Sequence, residues 1–344
     1  MKTKIVYVVV SSEHDIYLEQ AYISMYSLKR HMPEAHIVML TDIATAESLT
    51  GIRKEEIKFI DEMIVAADLD SNKLNAQQRS RQLKTSVRSR VEGDFLFIDC
   101  DTIITRSLND IEETAYDIAA CRDTHSSLAD NPYRGMTLMQ GYALGWPIEE
   151  ETVYYNSGVI YVKDTPNAHA FYQQWNKNLN EGYQHNIFMD QPSFAKTNKE
   201  MEHVVGMLDD VWNCELKHGI RYLKDAYIVH YLCTNPSSYQ NHQLFVLNEK
   251  SELMKIKEEG KIPENILKTI DDPFKGIAEI THCFAGEDVY FFQSPIYQYV
   301  RSHYKREQNF SFLFFAIRMM GVAERLYKHV VRVVQGRASL RSSW

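Results

Sequence analysis

The sequence predicts an α/β protein built on a mostly parallel sheet, and three features carry that expectation. Residues 4–10, KIVYVVV, are a continuous β-branched and aromatic run, as a strand covered on both faces requires. Residues 15–32 place Leu18, Ala21, Tyr22, Met25 and Leu28 at helical spacing before Pro33 ends the segment. Strand-like and helix-like patterns then alternate as far as Ile104, and such alternation builds parallel sheets covered by helices.

In order, HIVMLTD (36–42) reads as a second strand and IKFIDEMIVA (57–66) as a third. Asn75 to Val91 reads as a basic helix and DFLFIDCDTII (94–104) as a fourth strand. Further strands are expected in YDIAACRD (116–123), VYYNSGVIYVKD (153–164) and AYIVHYL (226–232). AHAFYQQWNKNLNEG (168–182) reads as a helix ended by Gly182. The chain divides into a main domain over 1–245, a mixed helical extension over 246–300 and a basic amphipathic helix within 301–344.

Composition narrows the function. With 344 residues, 44% of them hydrophobic, the chain can bury a sizeable core. A net charge of -8 disfavours a general nucleic-acid binder. Five scattered cysteines, with no CxxC pair, fit free thiols in a reducing, cytoplasmic setting. The apolar run after Lys4 is short for a signal peptide and lacks a small-residue cleavage site, so it reads as a buried strand. No stretch of about 18 apolar residues predicts a spanning helix.

The chemistry concentrates at FLFIDCD. Alternation along a strand sends Asp99 and Asp101 to one side and Cys100 to the other. Placed at the carboxyl end of a strand, the pair sits where open α/β sheets bind ligands. Two adjacent carboxylates repel each other, and a divalent cation removes the conflict. Hard oxygen ligands suit Mg²⁺ or Mn²⁺, ions that hold substrate phosphates. A turn with two solvated acids is the bland alternative; the apolar run ahead of them argues against it. A haloacid-dehalogenase-like phosphatase also places two acids after a strand, and Leu208-Asp209-Asp210 could imitate its later acidic motif. Against it, about ninety residues precede the acids, and Ile103 stands where a small residue is expected.

Across residues 4–235 the chain resembles a GT-A glycosyltransferase, most closely the retaining galactosyl- and glucosyltransferases of carbohydrate-active family eight. The motifs run in family order: IVYVVVSS, DIYLEQAYISMYSL, RSRQLKTSV, FLFIDCDTIITRSL, YYNSGVIYVKD, FMDQPSFAK, LDDVWNCE and IVHYL. The resemblance implies a nucleotide-diphospho-sugar transferase fold with a C-terminal helical extension and the catalytic domain over 1–245. It implies Asp99, Asp101 and His230 as ligands of Mn²⁺ or Mg²⁺. Ser11 and Tyr17 would line the nucleotide pocket, with Arg81 and Lys84 on one helix face toward the diphosphate or sugar. Asp123 and Asn156 would bond the sugar's hydroxyls, and Asp190 and Gln191 would sit at the reacting carbon. Each has a plainer reading. His230 could be a core-edge histidine, Ser11 and Tyr17 ordinary packing, the cations a solvated face, and Asp190-Gln191 the cap of a helix beginning near Pro192. The sequence departs from the family after His230, where HYLCTNPSSYQ lacks the usual Gly and Lys. A non-catalytic sugar-nucleotide or glycan-binding protein is therefore the third reading.

The tail carries a separate signal. Residues 301–344 hold nine Lys and Arg against two acids, a net of +7 in a chain whose total is -8. In 310–334 Arg318, Arg325, Lys328, His329 and Arg332 share one helical face, opposite Met319, Val322, Leu326, Val330, Val333 and Val334. That pattern suits a helix lying on an anionic membrane or packed on the body. The combined reading is a UDP-sugar-dependent hexosyltransferase, peripheral on the inner face of the membrane, acting on a glycan or lipid-linked acceptor in polysaccharide or lipopolysaccharide synthesis.

Overall fold

The computed structural model describes residues 1–69, 73–146, 148, 152–232, 247, 250–273, 294–297, 315, 318–323, 325–327 and 329–331. In chain order the elements are β1 (Lys4–Val9), α1 (Tyr17–His31), β2 (Ile37–Asp42), α2 (Ile43–Ser48), α3 (Ile52–Glu56) and β3 (Glu62–Ala66). There follow α4 (Ala76–Ser86), β4 (Phe95–Ile98), β5 (Thr102–Ile104), β6 (Ile118–Arg122), α5 (Arg134–Ala143) and β7 (Tyr155–Val162). The remainder are α6 (Pro166–Gln184), α7 (Asp190–Glu200), β8 (Val205–Met207), β9 (Cys214–Glu215), β10 (Ile228–His230), α8 (Lys250–Glu259) and α9 (Glu264–Asp271).

Among the described residues, seven strands form one sheet in the order β3-β2-β1-β4-β7-β6-β8. β1, β2, β3 and β4 run parallel, β7 is antiparallel to both β4 and β6, and β8 is parallel to β6. This is the mixed, mostly parallel α/β sheet the sequence predicts. β1 shows why: Ile5, Tyr7 and Val9 enter the core under α1, while Val6, Val8 and Val10 enter a second core with Leu83 of α4 and Trp175 of α6. Both faces are covered, so the run has no polar alternate positions.

Local signals set the helices. Asn75 and Gln78 form a reciprocal capping box ahead of α4, and Thr165 caps α6 with Pro166 in its first turn. α6 runs past Gly182 to Gln184; the glycine instead lets the Ile187 carbonyl approach, 3.1 Å from where a Cβ would be.

The expected fourth strand breaks in two. After Ile98 the chain leaves the large sheet, and from Thr102 it joins a three-stranded sheet ordered β5-β10-β9. Asp99 and Asp101 therefore lie in the bend between sheets, not within one pleated strand. Period-2 patterning cannot register a change of sheet, because both halves are buried and apolar.

The first of two compact units ends at Thr281 and includes α8 and α9. Leu247, Leu253 and Ile256 pack with Ile266 and Ile270 into a core that also holds Ile16, Tyr22 and Ile23. The second unit comprises residues 282–344, and its described residues between 318 and 331 are helical. Among the described residues no helix is long and apolar enough to cross a membrane. Cys100, Cys121 and Cys214 are free thiols; Cys233 and Cys283 lie outside the described residues.

Candidate active site

The bend after β4 and the end of β10 bring Asp99, Asp101 and His230 together, with one ligand atom from each lying within 4.8 Å of the others. β10 pairs with β5 so that His230 stands opposite Thr102, which carries the imidazole to the neighbouring Asp101. His230 Nε2 is 3.2 Å from Asp101 Oδ1, and Nδ1 is 2.9 Å from Asn213 Oδ1.

A hydrogen-bond chain fixes a proton on Nδ1 of His230. The Gly158 N–H donates to Asn156 Oδ1 at 2.8 Å, so that atom is the amide oxygen. Asn213 Nδ2 donates to the same oxygen at 3.0 Å, which turns Asn213 Oδ1 toward the imidazole. His230 therefore donates from Nδ1, and its Nε2 faces a carboxylate oxygen. Two acceptors at 3.2 Å need a proton or a cation between them. Burial lowers the His230 pKa, but Asp101's charge and hydrogen bond, with Asp99's charge, outweigh it and leave the pKa raised. Burial, partly offset by Lys84 and His230, raises that of Asp99. Ligand bonds of about 2.1 Å put neighbouring ligand atoms roughly 3–4 Å apart, so a small inward shift would close this set on a Mg²⁺-sized ion. Carboxylate oxygens with an imidazole oriented by an amide are a donor set that Mn²⁺ or Mg²⁺ fits.

Next to these acids lies a second charged cluster. Lys84 is buried, with Nζ 2.9 Å from Asp190 Oδ2, 3.3 Å from Asp99 Oδ1 and 3.4 Å from Ser157 Oγ. Arg81 Nε is 3.0 Å from Asp190 Oδ1, and the Ser157 hydroxyl donates to Asp190 Oδ2 at 2.8 Å. Burial would raise the Asp190 pKa, yet Arg81 and Lys84 hold it well below the usual carboxylate range. α7 begins at Asp190 itself, and its N-cap, Met189, offers no side-chain bond. Asp190 is thus not a helix cap: its carboxylate turns away to the two cations. The neighbouring cations serve elsewhere. Arg79 Nε bonds Asp42 at 2.6 Å, Arg88 is buried over Phe95, and Arg90 pairs with Asp68 at 2.6 Å.

The remaining residues take distinct positions. Asp123 is buried at the end of β6, accepting from Asn156 Nδ2 at 3.2 Å and from Asn131 Nδ2 at 2.8 Å. Asn156 is a hub: its oxygen takes two donors and one of its amide hydrogens goes to Asp123. Gln191 follows Asp190 in the first turn of α7. The Ser11 hydroxyl is used inside its own loop, donating to Asp15 Oδ1 at 2.6 Å and accepting from Leu18 N and Arg53. Tyr17 is half exposed. Burial and then Asp15 raise its phenol pKa, with Arg81 and Asp101 also acting on it.

Sequence reasoning missed Ser157 and Asn213. Alternation along β7 sends Ser157 toward Lys84 and Asp190, and its neighbours Asn156 and Gly158 toward His230. A serine in a strand gives no signal; Asn213 gave one only through its motif.

An α/β sheet whose strand ends gather two acids, a histidine and two cations is the frame of a nucleotide-sugar transferase. The family model for nucleotide-diphospho-sugar transferases matches residues 79–254, just over half of the chain, and the protein belongs to that family. It is a glycosyltransferase with the GT-A fold, and membership sets aside the phosphatase alternative. Among solved structures, the chain is similar to the galactosyltransferase LgtC in complex with donor and acceptor sugar analogues. That match has 11% identity and a TM-score of 0.50, over 77% of this chain and 99% of that one. Mouse xyloside xylosyltransferase 1 aligns at 16% identity and a TM-score of 0.44, over 67% and 97%. The glycosyltransferase GlyE of Streptococcus pneumoniae aligns at 16% and 0.46, over 75% and 63%. No curated protein matches the chain.

Proposed function

We propose that this protein transfers a hexose, with retention, from a UDP-sugar to a hydroxyl of a glycan or lipid-linked acceptor. The observation that carries the reading is the Asp99, Asp101 and His230 cluster, with His230 Nε2 facing Asp101 Oδ1 at 3.2 Å. Bound there, Mn²⁺ or Mg²⁺ would neutralise charge developing on the leaving diphosphate. Lys84 lies between Asp99 and Asp190, so one ammonium serves both the diphosphate side and the sugar side. Together with Arg81 it supplies positive charge that the segment after His230 lacks in sequence; residues 233–246 lie outside the described residues. Asp190, its basicity cut by two cations and a hydroxyl, suits electrostatic stabilisation of an oxocarbenium-like carbon better than proton abstraction. Asp123 and the remaining N–H of Asn156 would read sugar hydroxyls, with Gln191 near the acceptor. A thermal-shift screen of nucleotide sugars with and without Mn²⁺ tests this. One donor should raise the melting temperature only with the metal, by mass action. No shift from any nucleotide sugar would remove the reading.

The second unit supports a peripheral place on the inner face of the membrane. Met319, Val322, Leu326 and Val330 are exposed at helical spacing, alongside Arg318 and Arg325. Each basic residue near an anionic surface contributes about 1 kcal/mol. The full chain should float with vesicles containing anionic phospholipid at low salt and be released at high salt. Protein that stays at the bottom of the gradient at both salts rejects the membrane assignment.

A further inference from the structure

Loop 11–16, between β1 and α1, is held from outside by a residue near the end of α8. Lys257 Nζ donates to the carbonyl oxygens of Ser12 at 3.1 Å, Glu13 at 2.9 Å and Asp15, and lies 3.3 Å from Glu19 Oε1. Its ammonium is nearly buried and its three hydrogens are spent on one short loop. Arg53 of α3 grips the same loop from the other side, through Ser12 O at 3.1 Å and the Ser11 hydroxyl at 3.3 Å. Behind the two cations sit Glu19 and Glu56, both fully buried. Burial and then Glu19's charge push Glu56 up to about 7. Neither the loop nor Lys257 falls within residues 79–254, the stretch matched by the family.

A lysine that merely finished a helix would not be aimed at three carbonyls of a segment more than 240 residues away. The loop's direction has a consequence for the site. It leaves the carboxyl end of β1, the strand hydrogen-bonded to β4, whose own end leads into Asp99, and it runs directly into the half-exposed Tyr17. We propose that Lys257 is a positioning residue for the donor: it fixes the 11–17 segment so that Tyr17 and the loop receive the nucleoside diphosphate. The inference rests on the transferase reading above. Under it, α8 is part of the donor site and not an appendage.

Two measurements test the proposal on the full chain. Hydrogen exchange of residues 12–18 without ligand reads the staple alone, and titration calorimetry with UDP, GDP and ADP in the presence of Mn²⁺ reads donor binding. Lys257→Met should speed exchange across the loop and weaken the Kd of the preferred diphosphate about tenfold, the scale of one charge-assisted hydrogen-bond set. The kinetic loss should fall on donor KM more than on kcat. Lys257→Arg should recover part of the affinity. Ile266→Ala, in the α9 core, should lower stability without changing Kd. A loosened loop with unaltered Kd would overturn the positioning role and leave the transferase reading standing. An equal Kd loss in Ile266→Ala would reduce Lys257 to packing. Failure of the wild type to bind any of the three diphosphates would overturn both.

Discussion

Asp101→Ala should abolish metal-dependent turnover of the donor while leaving the melting temperature unchanged or slightly raised. The side chain is one of three that would hold the cation, and the partner of His230 at 3.2 Å. Loss of one such electrostatic element costs about 100- to 1000-fold in rate. Stability should move the other way. Burial is the main cause of the raised Asp99 pKa, and Asp101's charge adds to it, so the two acids repel when no cation lies between them. Removing one relieves that repulsion, though His230 loses the carboxylate that raised its pKa. A structural acid would behave in the opposite manner, losing stability in step with activity. Circular dichroism, a melting curve and a turnover assay with added Mn²⁺ separate the cases. Turnover near that of the wild type in a folded Asp101→Ala protein would end the metal-site reading.

The parts of this site that were legible in the sequence are those whose signal is local. An apolar run followed by two acids marks the bend after β4 whatever the distant chain does, and Asn75 with Gln78 announces α4. What the sequence could not show is contact over distance. Asn213 sits in a recognisable motif, yet nothing there says that its amide will meet Asn156, 57 residues earlier, and accept the Nδ1 proton of His230. Lys257 lies in an ordinary amphipathic helix, and only the fold brings it to Ser12. The short helices α2 and α3 and the exposed α5 escaped notice for another reason. The first two span only six and five residues, and α5 leaves Met136, Met139 and Tyr142 exposed. Apolar periodicity finds a helix through its buried stripe. Ser11, which the resemblance places in the nucleotide pocket, bonds within its own loop through its hydroxyl, a pairing no motif announces.

Gly158→Ala should nearly abolish turnover, because its single methyl enters the ligand set itself. A Cβ at this position would lie 2.4 Å from His230 Cε1 and 2.9 Å from both Asn156 Oδ1 and Asp99 Oδ2. None of the three can step aside cheaply. His230 is held between Asn213 and Asp101, Asn156 Oδ1 receives the Gly158 and Asn213 donors, and Asp99 is paired with Lys84. The methyl must therefore spread the ligand set, which is why an Asn-x-Gly sequence belongs at this strand. Overpacking of this kind costs about 1–3 kcal/mol of stability. The catalytic loss should be far larger, about 100-fold or more, because misplacing a group by about 1 Å is enough for that. Gly206 supplies the control. A Cβ there would fall even closer to its neighbour, 2.0 Å from Tyr116 Cγ, but Gly206 lies on the edge strand β8 and none of the atoms it would meet belongs to the site. Gly206→Ala should thus keep most of its turnover and its response to Mn²⁺, while Gly158→Ala loses both. Equal turnover in the two variants would mean that His230 and Asp99 are free to move, and that the cluster is not the rigid site described here.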